Sequence, residues 1–376
     1  MLMLGHDRKS QEPVTLDVTH SRVLLICGKR GSGKSYTLGV LAEELFQQSP
    51  RQVILLVDPM GIFWTMAQAT TATSVGLPMQ LIVPGDPATR YTPAIRERLQ
   101  SLGLTLQRLT LNPAELSPDA WCGLFELSIN EPLGIALYRS VQALNASTPS
   151  YALRDLTDTI QRDGLSQDRT KEALVNRVSM AAHWELFDAA ARPISELLSA
   201  DALNVLDCSV LDYSTHGLRS LVLAIVARQL FTAWHATRRH AELGDTPSTS
   251  KLWLLIDEAH QFIPQGGATL TKDMLIRWVK EGRQPGLSCV LASQQPGSLE
   301  MEVLSQCDAV IAHKLTNVED ITSVNRLSQA YMGSELKVYL RHLTGPGQAV
   351  LVDDARERVT MLQVRERLTR HGGGEL

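Results

Sequence analysis

The chain lacks the features that mark secreted, membrane-spanning or disulfide-stapled proteins. Its five cysteines, Cys27, Cys122, Cys208, Cys289 and Cys307, are odd in number and scattered, and no two form a C-x-x-C pair. Neither a disulfide framework nor a zinc ribbon is expected, and the thiols read as small buried hydrophobes in a reducing compartment. The longest-looking apolar run, residues 218–233, is too short for a bilayer span and is broken by Arg228 and Gln229. The N-terminus mixes basic and acidic residues without a signal-peptide core. Charge of one sign is lacking too: 36 Lys and Arg stand against 40 Asp and Glu. That balance neither requires nor excludes nucleic acid, because a basic stripe can sit inside an acidic whole. Together these absences predict a cytoplasmic protein.

What is present is an alternation of short apolar runs and amphipathic stretches. Residues 23–26, 53–57, 80–83, 205–208, 252–256, 288–292, 309–312 and 349–352 read as buried strands. Several are apolar throughout, as strands covered on both faces are. Residues 35–48, 218–242 and 272–281 read as helices between them. This repetition predicts an α/β fold with a mainly parallel sheet. Between residues 92 and 200 strand signal is almost absent. Amphipathic runs at 94–107, 119–127, 134–144, 152–162 and 169–187, punctuated by Pro113, Pro118, Pro132, Pro149 and Pro193, predict an inserted helical bundle. The expected organisation is a core in two parts, 1–91 and 201–355, with the bundle at 92–200 and a C-terminal extension at 356–376. Residues 244–250 read as a loop and 372–376 as a frayed tail.

The first of these strands runs into Gly28-Lys29-Arg30-Gly31-Ser32-Gly33-Lys34-Ser35, and a helical pattern follows from there through Tyr36. This is a G-x-x-x-x-G-K-S phosphate loop in its full strand, loop and helix context, and it predicts ATP with Mg2+. The glycines let the backbone curl so that its N–H groups face the phosphates. The helix adds its positive N-terminal end. Lys34 is placed to reach the β- and γ-phosphates and Ser35 to hold the magnesium. Residues Gly28 to Tyr36 form the expected nucleotide-binding set. A glycine-rich turn that binds nothing would not need both flanks.

The strand at 252–256 ends in Asp257-Glu258-Ala259-His260. Asp257 is placed to hold the magnesium shell and Glu258 to polarise a water for in-line attack on the γ-phosphate. The strand at 288–292 ends in Ser293-Gln294-Gln295, where Gln294 reads equally as a neutral γ-phosphate sensor or as a turn amide. Arg283, between these two strands, reads as an arginine that reaches a phosphate in a neighbouring subunit, against the commoner solvated arginine. Asp58, at the end of 53–57, either orients the magnesium shell or caps the next segment. His260 has no second metal ligand at helical spacing and reads as structural.

With these motifs the chain resembles the HerA branch of the HerA/FtsK hexameric translocases. The resemblance starts at Leu4-Gly5 and Glu12-Pro-Val-Thr-Leu-Asp17, continues through Arg22, the phosphate loop and Asp58-Pro-Met-Gly61, and resumes at Asn204-Val-Leu-Asp207. It is strongest across 254–260 and 281–317, notably in Gln284-Pro-Gly-Leu, Ala292-Ser-Gln-Gln-Pro, Leu304-Ser-Gln-Cys-Asp308 and Leu315-Thr-Asn317. Val364-Arg-Glu-Arg367-Leu-Thr-Arg370-His371-Gly resembles the family's closing segment. No L-S-G-G-Q signature of an ABC ATPase occurs.

The resemblance implies a RecA-like P-loop NTPase core with an inserted helical bundle. It makes Lys34 and Ser35 the phosphate and magnesium ligands, Asp257 and Glu258 the acidic pair, Arg283 an arginine finger acting in trans, Gln294 the polar sensor and Arg22 an arginine near the nucleotide. A trans finger implies a ring, hence a homohexamer that threads duplex DNA through its pore without base readout. Family members work with a nuclease or another effector, in DNA-end processing or defence against phage. Loops 60–65 and 264–272 are candidates for touching DNA. Lys272 reads as meeting phosphates there or, equally, as a solvated residue at a helix start. Only 27 residues precede Gly28, so the small N-terminal β-barrel that docks partners in the family is expected to be absent. Two other readings stay open: a nucleotide-ordered ring scaffold for an effector with little translocation, and a secretion- or conjugation-type ATPase.

Overall fold

The computed structural model describes residues 1–72, 74–212, 217–244, 251–327 and 336–373. The loop expected at 244–250 lies outside these residues after Gly244, as does the tail beyond Gly373. One sheet organises the chain. Its strands in chain order are β1 (Leu2–Asp7), β2 (Pro13–Leu16), β3 (Val23–Cys27), β4 (Val53–Asp58), β5 (Met79–Pro84), β6 (Thr105–Leu109), β7 (Leu203–Asp207), β8 (Leu252–Ile256), β9 (Leu287–Ser293), β10 (Ala309–Ala312), β11 (Gln348–Asp353) and β12 (Arg358–Val364). They lie side by side in the order β2-β1-β12-β11-β10-β3-β9-β8-β4-β7-β5-β6. From β10 to β6 every pairing is parallel, and from β10 back to β2 every pairing is antiparallel.

Side-chain alternation explains why the parallel part is buried on both faces. Val23, Leu25 and Cys27 of β3 join one hydrophobic cluster and Leu24 and Ile26 the other. The first cluster also holds Trp121, Leu137, Leu156, Leu174 and Val178 from the 92–200 span and Leu221, Val222 and Leu230 of the helix Leu218–Glu242. The second holds Leu38, Leu41 and Leu45 of the helix Lys34–Phe46. Burying each such Leu, Val or Phe side chain is worth roughly 1.5–3 kcal/mol.

All eight expected strands are present. Four others were not visible in the pattern: β1, β2, β6 and β12. The span 92–200 contains helices Pro118–Leu124, Pro132–Ser147, Leu153–Arg162 and Asp168–Ala182, but the helix expected over 94–107 stops at Ser101. Gly103 turns the chain at φ +82, and β6 then pairs parallel to β5 from Gln80↔Thr105 to Pro84↔Leu109. As the last strand of the sheet, β6 exposes Thr105 and Arg108 and fully buries only Leu109, so Thr105-Leu-Gln-Arg-Leu109 carries no continuous apolar run. The segment expected as a C-terminal extension supplies β12, which sits inside the sheet between β11 and β1. No helix among the described residues is long and apolar enough to cross a membrane.

Candidate nucleotide site

β3 ends at Cys27 and the chain turns at Gly28, φ +156. A Cβ there would lie 2.4 Å from Ser32 Oγ and 2.7 Å from His313 Cβ, so only glycine fits. The loop is tied down by Lys29 N–H donating to Lys314 O at 2.9 Å and Ser32 Oγ donating to Lys29 O at 2.7 Å. Arg30 and Gly31 are exposed at its tip. Gly33, left-handed at φ 108, precedes the helix Lys34–Phe46. Lys34 is buried, and its Nζ donates to Lys29 O at 3.2 Å. Burial lowers its pKa, and the carboxylates of Glu258 and Asp257 oppose that shift.

The acidic pair closes the other wall. Asp257 follows β8, and Ser35 Oγ donates to Asp257 Oδ2 at 2.9 Å. Burial first, then the charge of Glu258, raises the Asp257 pKa to about 6, while the Ser35 hydroxyl pulls it back. Glu258 is buried and left-handed at φ 48. Gln294, at the end of β9, donates through Nε2 to Glu258 Oε1. Because β9 lies between β3 and β8, Gln294 stands between the phosphate loop and the acids. Phosphate loop, Ser35, Asp257, Glu258 and Gln294 thus converge from strand ends far apart in sequence. The donor set fits magnesium: a hydroxyl and a carboxylate, both hard oxygen ligands, face each other beside Lys34.

Asp58 is otherwise engaged. Its Oδ1 accepts from Met60 N at 3.1 Å and Gly61 N at 2.7 Å, and its Oδ2 accepts from Phe63 N at 2.8 Å. Burial, with the nearby charges of Asp207 and Asp257, raises its pKa to about 7 despite these bonds. Of the two roles left open for Asp58, the contacts are those of a cap on the turn after β4.

Arg22 and Arg283 lie elsewhere. β3 and β9 run parallel, with Cys27↔Ser293 at the phosphate end and Val23↔Cys289 at the other. Arg22 precedes Val23, and Arg283 precedes β9. At about 3.3 Å per residue, the length of β3 alone separates Arg22 from its own phosphate loop by roughly 13 Å. Arg22 is held by its N–H to Ser288 Oγ at 3.2 Å, its Nε to Asp17 O at 3.2 Å and its Nη1 4.0 Å from Asp308 Oδ1. Arg283 is exposed, and its carbonyl accepts from Ser21 Oγ at 3.3 Å. Strand direction puts both arginines at the sheet end opposite this chain's own loop. Lys272 is also committed, 2.5 Å from Glu300 Oε2 and donating to Gly267 O at 3.1 Å.

Two supports of the loop escaped the sequence reading. His313, fully buried one residue past β10, lies against the loop; its Nε2 is 2.9 Å from Thr37 Oγ1 and its Nδ1 2.9 Å from Gln348 O. Burial depresses its pKa to about 4, so the neutral ring donates from Nδ1 and accepts at Nε2. The only sequence signal was a polar residue directly after an apolar run. The second support is the tail. Tyr36 OH accepts from Arg367 N at 2.8 Å, and its ring meets His371 edge-on, centroids 5.6 Å apart. The Arg367 guanidinium packs over Gly39, where a Cβ would fall 2.5 Å from Cζ.

A family model described as the central domain of helicase HerA matches residues 2–227. The DNA double-strand break repair helicase HerA of Sulfolobus acidocaldarius is 22% identical over 363 residues, covering 92% of this chain and 65% of that protein. A probable helicase of Methanocaldococcus jannaschii is 31% identical over 125 residues, 33% of this chain and 24% of that protein. The chain spans between 24% and 65% of the length of these and a further curated relative from Sulfurisphaera tokodaii. Among solved structures, VirB4 of Thermoanaerobacter pseudethanolicus superposes with a TM-score of 0.65 at 15% identity, covering 97% of this chain and 96% of that one. The bacterial conjugative coupling protein TrwB gives 0.57 at 13% identity, covering 100% and 92%. At such identities the likeness concerns the fold, which is that of RecA-like P-loop ATPases. Since the HerA model spans more than half of the sequence and includes the phosphate loop, the chain belongs to the HerA helicase family.

Proposed function

We propose that this chain is one subunit of a homohexameric ring that hydrolyses Mg-ATP between neighbouring subunits and moves duplex DNA through its pore. The observation that carries this reading is the separation of the site's two halves. Loop, acids and Gln294 occupy one end of the parallel strands, while Arg22 and Arg283 occupy the other. A head-to-tail interface brings the second half to the first, and repeated head-to-tail contacts close into rings. The names of the curated relatives, repair helicases, support DNA as the substrate. Sequence-independent binding follows from contacts to phosphates alone. The helices within 92–200 are read as the inserted unit, and a nuclease or other effector, in repair or phage defence in the cytoplasm, is the proposed partner.

In this mechanism Lys34 binds the β- and γ-phosphates, and Ser35 with Asp257 holds the magnesium, which when bound neutralises phosphate charge. Glu258 accepts the proton of a water whose oxygen bonds to the γ-phosphorus. The bond from that phosphorus to the bridging oxygen breaks, and the electron pair leaves with ADP. Gln294 senses the γ-phosphate. Arg283 of the adjacent subunit steadies the charge of the transition state. The test is the steady-state ATPase rate with and without duplex DNA, with Lys34→Ala and Glu258→Gln beside it. Strong stimulation by DNA, absent from both variants, is expected. A rate indifferent to DNA would sink the translocase reading and leave the ring scaffold.

A further inference from the structure

Glu258 is held on one side only. Gln294 donates to its Oε1, whereas its Oε2, buried, accepts no hydrogen bond among the described residues. Facing that oxygen at 3.4 Å is Nδ1 of His260, which also stands 3.4 Å from Ser293 Oγ. Ser293 Oγ already accepts from Gln295 N at 3.1 Å. A carboxylate this close favours the tautomer with the proton on Nδ1, pointing at Oε2. Burial lowers the pKa of His260 against the opposing charge of Glu258. A buried carboxylate oxygen without a donor is costly. A general base also needs one oxygen fixed if the other is to be aimed at a proton. The left-handed backbone of Glu258 places its carboxylate between these groups rather than along a helix.

We propose that His260 is a positioning residue for Glu258: Nδ1–H closes on Oε2 when nucleotide is bound and aims Oε1 at the attacking water. This rests on the reading of Glu258 as the general base. Gln294, which now occupies Oε1, turns to the γ-phosphate and leaves that oxygen to the water, so the two side chains exchange the task of holding the acid.

The experiment compares His260→Ala, His260→Asn and His260→Gln with the unaltered protein and Glu258→Gln. It measures kcat and KM for Mg-ATP, the Kd of a fluorescent ATP analogue, and the melting midpoint. The amide nitrogen of Asn stands where Nδ1 stands, and that of Gln where Nε2 stands. His260→Ala is expected to lower kcat about 10–100-fold, the scale of an ångström-sized misplacement, with KM and Kd unchanged. His260→Asn should recover most of that loss and His260→Gln should not. An unchanged kcat in His260→Ala, or Asn no better than Gln, overturns the proposal. Should His260→Ala fail to fold, the Asn and Gln pair decides alone. If Glu258→Gln keeps full turnover, the general-base reading itself has failed, which separates the two outcomes.

Discussion

Arg365 Nη1 lies 2.8 Å from Glu43 Oε2, joining residues 322 apart in the chain. Glu43 is fully buried on the helix Lys34–Phe46, and it also accepts from Thr369 N at 2.9 Å, Thr369 Oγ1 at 2.6 Å and Leu368 N at 3.2 Å. The segment after β12 is therefore a clamp on the helix that begins at Lys34. Removing one partner of a buried ion pair costs about 3–5 kcal/mol when the other is left uncompensated, and the contacts Glu43 keeps with Leu368, Thr369 and Arg367 put the expected loss at the lower end. Arg365→Ala should lower the stability read from urea unfolding by that order. A loss below about 1 kcal/mol, the level of a surface pair, would show that the clamp is not structural.

A trans arginine makes a prediction that single variants cannot. Lys34→Ala and Arg283→Ala should each be nearly inactive alone, the latter by about 10³-fold or more if it acts as a finger. Mixed and reassembled, they form some interfaces with an intact loop on one side and an intact arginine on the other. Recovery of ATPase activity on mixing is expected. No recovery, with mixed rings verified by differential tags, would place Arg283 outside the site.

Asp58 sets a pH dependence with a definite sign. Its pKa rises from the usual range near 4 to about 7 on folding. Its stabilising contribution is therefore complete below about 4 and is lost as pH rises through 7. Asp257, raised to about 6, acts in the same direction. His313, depressed to about 4, acts oppositely: its contribution is present above about 6.5 and lost as pH falls through 4. The clean readout is a difference. Relative to the unaltered protein, Asp58→Asn should gain stability steadily between pH 4 and 7 and level off above. Parallel profiles for the two proteins would contradict the raised pKa.

Lys272 was a candidate for DNA phosphates, but its ammonium is paired with Glu300. Lys272→Ala should leave the salt dependence of duplex DNA binding unchanged. A slope reduced by about one unit, as when a phosphate contact is lost, would show that the pair opens on DNA.

The chemistry of the site was legible because it is local. Phosphate binding needs glycines, a lysine and a hydroxyl within eight residues, and Asp257-Glu258 announces itself at the end of an apolar run. The buried strands were legible for the same reason, since burial on both faces writes unbroken apolar runs into the chain. The edge strands β2 and β6 and the inner strands β1 and β12, each only partly buried, write no such run.

By itself, then, the sequence marked a phosphate loop and an acidic strand end, and named the residues expected to face a nucleotide. Only the tertiary structure decided which end of the sheet each residue occupies. Arg22 sits six residues before Gly28 in sequence, yet β3 carries it to the opposite end, because an extended strand converts sequence separation into distance. Glu43 and Arg365 are distant in sequence, yet β12 returns the tail to the first helix. Strand order and direction make such assignments, and they follow from pairing across the whole chain, which no local pattern encodes.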